Sequence, residues 1–342
     1  MNIEWRWVNA VVPKMTQELI DRYSLLRTIN LMQPVGRRLL AEKLGVSERS
    51  VRTDLEALEG SQLVAMQSKG VVLTPDGERA ADQLLPLIQN LTGIHKKEEA
   101  LKTRLGLKGC RIVSGDSDNQ PEIKTAMGKL TNELMQADMP LGPSIVAVMG
   151  GTTMAAVAST LTQELSEQRQ LTFVPARGGM GESPDIQANT ICAKMAAQTD
   201  STFQALYLPE LASGSTYATL RSEPMIAKTL ATVDQANVAL HCVGDAMAMA
   251  KRRQMPADVI ATLRERHAVG EAFGDFFDEH GQIVYQVPKL GLSISDLERM
   301  DLVVAVAGGH TKAAAIEAYF KLPPAPTFLV TDEGTADTIL KK

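Results

Sequence analysis

The 342-residue sequence has only three cysteines, Cys110, Cys192 and Cys242, and no two of them form a CxxC pair. Their scarcity and separation exclude a disulfide framework and a zinc knuckle, and the three thiols read as buried free side chains. The five histidines form no HExxH and no clustered ligand set, so no structural metal is expected. No apolar run reaches the length of a membrane span. The opening stretch MNIEWRWVNAVVPKM is interrupted by Glu4, Arg6 and Pro13, so it lacks the unbroken apolar run of a signal peptide, and a cytoplasmic protein is expected. An excess of positive charge is also missing. With a formal net charge of −5, the chain is not one that coats nucleic acid by bulk charge, although local basic patches remain open to it.

What is present is an apolar content of 44%, ample for globular folding, in a chain too long for one ordinary core. The pattern changes near residue 106. Before it, DRYSLLRTINLM places Leu25, Leu26 and Ile29 on one helical face. VGRRLLAEKLGVSERSVRTDLEALEGSQLV then reads as a helix through Leu39, Leu40 and Leu44, a turn at Gly45, and a second helix with Ser47 as N-cap. In that second helix Val51, Leu55 and Leu58 share an inward stripe, which turns Arg49, Thr53 and Glu56 outward with Arg52 on the flank. LVAMQSKGVVLTPDG alternates apolar and polar residues around Ser68-Lys69-Gly70, as a two-stranded wing does. Together these segments resemble the winged helix-turn-helix of bacterial sugar-responsive repressors. The candidate DNA contacts are Ser47, Arg49, Ser50, Arg52 and Thr53, with Arg37 and Arg38, beside Lys43, supplying a basic patch on the preceding helix. Residues 1–90 hold as many acidic as basic side chains, so an ordinary solvated helix face is the competing reading of Arg49 and Arg52.

From 84 to 105, Leu84, Leu87, Leu91, Ile94, Leu101 and Leu105 recur at steps of three and four or their multiples, a heptad seam that only Glu98 interrupts. Pro86 and Gly93 weigh against one continuous coiled coil, and two readings stay open: a dimer-forming linker, or a helix packed on its own domain. Trp5 and Trp7 stand near the start as further candidates for an interface between subunits or for anchors within one.

Beyond 106 strands alternate with alanine-rich helices: CRIVS, SIVAVMG, LTFVPA, FQALYLP, VALHCVG, QIVYQV, LVVAVAG and TFLVTD. An α/β fold with a mostly parallel sheet follows, its strand ends carrying the site. VAVMGGTT (146–153) and VAVAGGHT (304–311) are near copies that run from a strand through Gly-Gly into a helix, and a third strand ends at Arg177 before Gly178-Gly179. Glycines let backbone N–H groups approach an anion, and Thr152, Thr153, Lys312 and the adjacent Arg252 and Arg253 add hydroxyl donors and positive charge; phosphate is the ligand this set fits. Asp116 and Asp118, in SGDSDNQPEIK, read as turn and capping residues rather than metal ligands.

In IVSGDSD, VAVMGGTT, FVPARGGMGE, QANTICAKMA, AKRRQMP, EAFG, VAVAGG and AAIEAYF the sequence is similar to the SorC/DeoR group of transcriptional repressors, in particular those of glycolytic operons, a resemblance that extends over nearly the whole chain. The resemblance implies a winged helix-turn-helix domain at 1–80, a linker and dimerisation helix at 81–105, and an effector domain at 106–342. That effector domain would be similar to ribose-5-phosphate isomerase, glucosamine-6-phosphate deaminase and the CoA transferases. It implies fructose 1,6-bisphosphate as effector, operator DNA and further copies of the chain as partners, and no catalysis. Residue by residue, Gly150, Gly151, Thr152 and Thr153 would cradle one phosphate of two. Arg177, Arg252, Arg253 and Lys312 would supply charge, and Gln187 and Glu271 would meet sugar hydroxyls. His310 stands where the group is expected to carry a small hydroxyl residue, which makes the second loop, and Lys312 with it, the weaker match. The competing readings are a sugar-phosphate isomerase or deaminase using Glu271 and Asp245 as its acid/base pair, and a dimerisation scaffold with an empty pocket.

Overall fold

The computed structural model describes residues 7, 10–178, 183–208, 214–322 and 327–341. They divide into two compact units, Met1–Lys96 and Lys97–Lys342.

In the first unit, α1 (Pro13–Met32) begins with proline, whose missing N–H costs nothing in a first helical turn. It buries Leu25, Leu26 and Ile29 against α2 (Arg37–Leu44) and α3 (Glu48–Gly60). Gly45, at φ 65°, ends α2 in the left-handed conformation, and Ser47 Oγ then accepts the Ser50 N–H at 3.1 Å to start α3. The predicted stripe Val51, Leu55 and Leu58 is buried. Strands β1 (Val64–Gln67) and β2 (Gly70–Leu73) pair antiparallel as the predicted wing, with Val35 bridging to Val71. Trp7 is exposed; Trp5 lies outside the described residues.

The heptad run is not one helix. Helix α4 (Pro75–Thr92) carries Pro86 inside it, and Gly93, at φ 74°, separates it from α5 (Ile94–Leu105). Helix α4 packs against α1. Most of α5 is tied into the second unit, where Lys97 pairs with Glu333 and Asp337, and the buried Glu98 accepts the Ile112 N–H at 2.9 Å. Residues 81–105 are thus shared between the two units, the second half being anchored in the second unit by these ion pairs and the buried Glu98 carboxylate.

The second unit is built on seven parallel strands: β3 (Gly109–Val113), β4 (Gly142–Val148), β5 (Arg169–Pro175), β6 (Thr202–Phe203), β7 (Val238–His241), β12 (Leu302–Val306) and β13 (Thr327–Asp332). Their spatial order is β3-β13-β12-β7-β4-β5-β6. Val146, Val148, Phe173, Leu240, Val304 and Val330 pack beneath α6 (Ile123–Asp138), α7 (Thr152–Ala158) and α8 (Ala188–Gln198), while Ala147, Ala239, Val303 and Ala305 are buried on the other face. Burial on both faces is why these strands read as continuous apolar runs. Chain order runs outward from β4 through β5 to β6, while β7 and β12 lie on the other side of β4. The loops leaving β4, β7 and β12 therefore emerge side by side at one edge, the place where such sheets bind ligands.

A second sheet corrects the strand reading. β8 (Gly244–Asp245), β9 (Gly270–Ala272), β10 (Asp275–Phe277) and β11 (Ile283–Gln286) form a four-stranded antiparallel sheet in the order β11-β10-β9-β8. QIVYQV belongs to it rather than to the parallel sheet, and EAFG ends β9 and turns at Phe273-Gly274 into β10. Beyond α9 (Gly214–Ser222) and α10 (Pro224–Asp234), helices α11 (Ala246–Arg252) and α12 (Ala257–Glu265) cover it through Ala250, Met255, Leu263 and Phe276. FQALYLP is strand only at Phe203: the Leu206 N–H leaves the ladder for the Asn189 side chain at 2.9 Å.

Candidate functional site

On the first unit, Arg37, Arg38, Ser47, Arg49, Ser50, Arg52 and Thr53 are all exposed, as a face that meets DNA requires. Several already have local partners. Arg52 Nε lies 2.8 Å from Glu56 Oε1, which raises the guanidinium's already high pKa, and Thr53 Oγ1 donates to the Arg49 carbonyl at 3.1 Å. Asp54 is half-buried and holds α3 to α1 through Arg22 at 3.2 Å. Orientation of the reading helix thus depends on Val51, Leu55, Leu58 and this ion pair, while its outer side chains stay in water.

On the second unit, the loops after β4, β7 and β12 enclose a cavity of about 310 Å³. Gly150, Gly151, Thr152, Thr153, Arg252, Arg253, Glu271 and Lys312 line it, together with Cys242, Asp245 and Phe273. The two glycines after β4 have different reasons to be there. A Cβ at Gly150 would meet the Ile186 carbonyl oxygen at 2.9 Å, so that position is small for packing. Gly151 has φ 123° with open space where a Cβ would stand, which leaves its backbone approachable. The Gly151 N–H is spent on the Ile186 carbonyl at 2.8 Å. Thr152 and Thr153 open α7, so their N–H groups have no carbonyl within the helix to donate to, and with their hydroxyls they are the donors this loop offers an anion.

The second Gly-Gly loop, nearly identical in sequence, is filled by the protein itself. The Gly309 N–H donates to Asp332 Oδ2 at 2.7 Å, and Thr311 donates to Asp118 Oδ2 from its N–H at 2.9 Å and its hydroxyl at 2.7 Å. His310 Nδ1 lies 2.6 Å from Asp116 Oδ2. A Cβ at Gly309 would collide with the Asp118 carboxylate. Burial would raise the Asp118 carboxyl, but the two Thr311 hydrogen bonds and the Lys312 and His310 charges outweigh it and hold the group below its ordinary range. This loop, the weaker match in the sequence, already carries an anion of the protein's own, the Asp118 carboxylate. Asp116, Asp118 and His310 lie close enough together for a metal, yet each hydrogen-bonds within the cluster or to the loop, consistent with the turn and capping role read from the sequence.

The adjacent arginines also separate. Arg252 lines the cavity from the end of α11. Arg253 Nη2 is 2.9 Å from Glu271 Oε1 with both side chains buried, its guanidinium sits over the Phe276 ring, and the same Glu271 oxygen accepts the Gly274 N–H at 2.5 Å. Asp245 spends one oxygen on the Ala248 N–H at 2.8 Å, capping α11. The two carboxylates available for acid/base chemistry are therefore both held by structural partners. Arg177 and Gln187 are not among the described residues that line this cavity. Arg177 is buried against the Gly274 turn, where desolvation and its charge push the Lys289 ammonium down despite the 2.8 Å ion pair with Asp275. Gln187 caps α8 beside the backbone of Gly150. Gly179 lies outside the described residues.

Sequence reading missed three groups around this cavity. Lys124, in the first turn of α6, places Nζ 3.3 Å from Thr152 Oγ1. Burial lowers its ammonium and the Lys312 and Arg252 charges lower it further, against the pull of Cys242 and Asp118. Cys242 lines the wall, where burial pushes its thiol up to about 11 against Lys312, the Met154 N–H, Arg252 and the Thr153 hydroxyl. Behind it, His241 is fully buried with Nε2 3.1 Å from the Tyr319 hydroxyl, and desolvation lowers its imidazole to about 4. No local motif announces these residues; the only sequence signal for Lys124 is a cation two residues after Glu122 in a turn otherwise rich in acids.

Residues 19–88 match the family model described as "CggR N-terminal DNA binding domain", and residues 89–341 match "Putative sugar-binding domain". The SorC family transcriptional regulator of Enterococcus faecalis superposes with a TM-score of 0.69 at 43% identity, covering 72% of this chain and all of that one. The full-length sorbitol operon regulator of Klebsiella pneumoniae, at 18% identity and a TM-score of 0.65, shares the fold over 90% of this chain and 94% of its own. Fold and cavity thus define a transcriptional regulator of the SorC/DeoR class, with a winged DNA-binding domain joined to a sugar-binding domain. Within that class the chain belongs to the family of the central glycolytic genes regulators. It is 40% identical to that of Bacillus subtilis over 97% of this chain and 96% of the other, and 38% identical to that of Priestia megaterium over the same shares.

Proposed function

We propose that this regulator is a cytoplasmic, self-associating and non-catalytic repressor of glycolytic genes, and that a phosphorylated sugar, fructose 1,6-bisphosphate, binds the cavity and weakens its grip on operator DNA. The observation that carries the reading is the cavity of about 310 Å³ that joins the open Gly151–Thr153 loop to Arg252 and Lys312. Its size is that of small-molecule sites in general, and its donors are those that phosphate oxygens accept from. Because Asp118 and Asp332 fill the second Gly-Gly loop, a bisphosphate meets one backbone cradle. Its other phosphate has to be met by side-chain cations such as Arg252. The engagement of Asp245 with the start of α11 and of Glu271 with Arg253 supports a binding site over an isomerase, which needs free carboxylates beside the sugar carbons. Relatives named for glycolytic genes support the choice of target.

The effector can act on DNA binding only through unequal affinity for the free and operator-bound states, and the coupling is reciprocal. The test is titration of operator binding with fructose 1,6-bisphosphate, sugar monophosphates and unphosphorylated fructose. Release by the bisphosphate, little by the monophosphates and none by fructose is the expected order. Equal response to fructose would overturn the phosphate reading, and turnover of any of these sugars would restore the isomerase.

A further inference from the structure

Around the Gly151–Thr153 loop the described residues present more positive charge than the fold itself needs. Lys124 and Lys312 approach it from different elements, α6 and the turn before α13 (Ala313–Tyr319), and among the described residues no carboxylate lies within ion-pair distance of either ammonium. Lys124 is also misplaced for helix stability, since a cation in a first turn faces the positive end of the helix dipole. Its hydrogen-bond partner among the described residues is Thr152 Oγ1 at 3.3 Å, on the loop that forms the cradle. A half-buried lysine set against two like charges and a helix N-terminus is a cost to the empty protein that a bound anion removes.

We propose that Lys124 is a further ligand-binding residue of this site: its ammonium closes over a phosphate held at Thr152 and Thr153, opposite Lys312. The inference rests on the reading of the cavity as a phosphate site and adds a residue and a linkage to it. The groups that face Lys124 are Lys312 and Arg252, which disfavour its charged form, and Cys242 and Asp118, which favour it. In the free protein the balance, with burial, lowers the ammonium; a dianionic phosphate raises it again. Binding therefore takes up a proton onto Lys124 where the free group is partly neutral, and affinity falls as pH rises through that range.

The experiment is calorimetric titration of the full chain with inorganic phosphate and with fructose 1,6-bisphosphate, over a pH series that rises from neutral into the ordinary lysine range, in buffers of different ionisation enthalpy. The parent, Lys124→Met and Lys124→Arg are compared. Loss of a charge-assisted hydrogen bond predicts binding roughly 10- to 100-fold weaker in Lys124→Met. Lys124→Arg keeps the charge but does not titrate, so it should retain most of the affinity and lose the proton uptake. Unliganded thermal stability of Lys124→Met should be no lower than that of the parent, since a repelled charge is gone. Equal affinity and equal proton uptake in all three proteins would overturn the role of Lys124 and leave the cavity reading standing. Binding of phosphate but not of the sugar bisphosphate, with the Lys124 effects intact, would overturn the effector and leave Lys124 standing. A parent that binds neither overturns both.

Discussion

Arg252 and Arg253 are neighbours in sequence, yet their replacement by alanine should have opposite consequences. Arg253 and Glu271 side chains are 1% and 5% exposed, 2.9 Å apart, and the same Glu271 oxygen holds the Gly274 N–H. Removing one partner of such a pair leaves an uncompensated buried charge, which costs on the order of 3–5 kcal/mol. Loss of guanidinium packing on Phe276 adds to this. For a domain of this size each kcal/mol lowers the midpoint by about 2–4 °C, so Arg253→Ala should unfold the second unit roughly 10 °C below the parent. Arg252, half-buried at the cavity wall, should cost little when truncated. Scanning calorimetry without ligand, with sugar bisphosphate binding measured on the same samples, separates the two: Arg253→Ala loses stability, Arg252→Ala keeps it and loses ligand. The double change Arg253→Met with Glu271→Gln removes both charges and should regain much of the loss. An Arg253→Ala protein as stable as the parent would refute the claim that this ion pair is a structural element.

Three further outcomes follow from the same geometry. Because buried His241 titrates near 4, below its ordinary value, the unfolded chain binds the extra proton first; stability is full above about pH 6.5 and falls by roughly 1.4 kcal/mol per unit as pH drops toward 4. His241→Gln should flatten that part of an acid-denaturation profile. Arg49→Ala and Arg52→Ala should each weaken operator binding by about 1–3 kcal/mol if they read bases, or reduce its salt dependence if they meet phosphates, with melting curves unchanged because both side chains are exposed. Asp118→Ala strips the second Gly-Gly loop of its internal anion, so it should lower the melting temperature and disturb Lys312, weakening sugar-bisphosphate binding in a titration.

The parts of this molecule legible in its sequence are those encoded by neighbours along the chain. The reading helix was visible because Ser47, Val51, Leu55 and Leu58 act within one helix, and the cradle because Gly150 to Thr153 join a strand to a helix directly. What stayed hidden depends on distant partners. The near-copy at Gly308–Thr311 resembled a second phosphate loop because nothing nearby announces that Asp118, 193 positions away, fills it. Arg252 and Arg253 looked equivalent until Glu271 claimed one of them. The β9–β10 turn was missed because three-residue strands carry too little alternation to be read. Lys124 carries no local signature, because its position beside Thr152 is set by the packing of α6 on α7.

The central claim, that a phosphate cradle after β4 controls DNA binding, is tested most directly by fluorescence anisotropy on labelled operator DNA, with and without fructose 1,6-bisphosphate, for the parent and Gly151→Val. Valine at φ 123° is strained and projects into the open approach, so the variant should bind operator as the parent does without ligand and fail to release it when ligand is added. Full release from the Gly151→Val protein at the parent's ligand concentration would contradict the account.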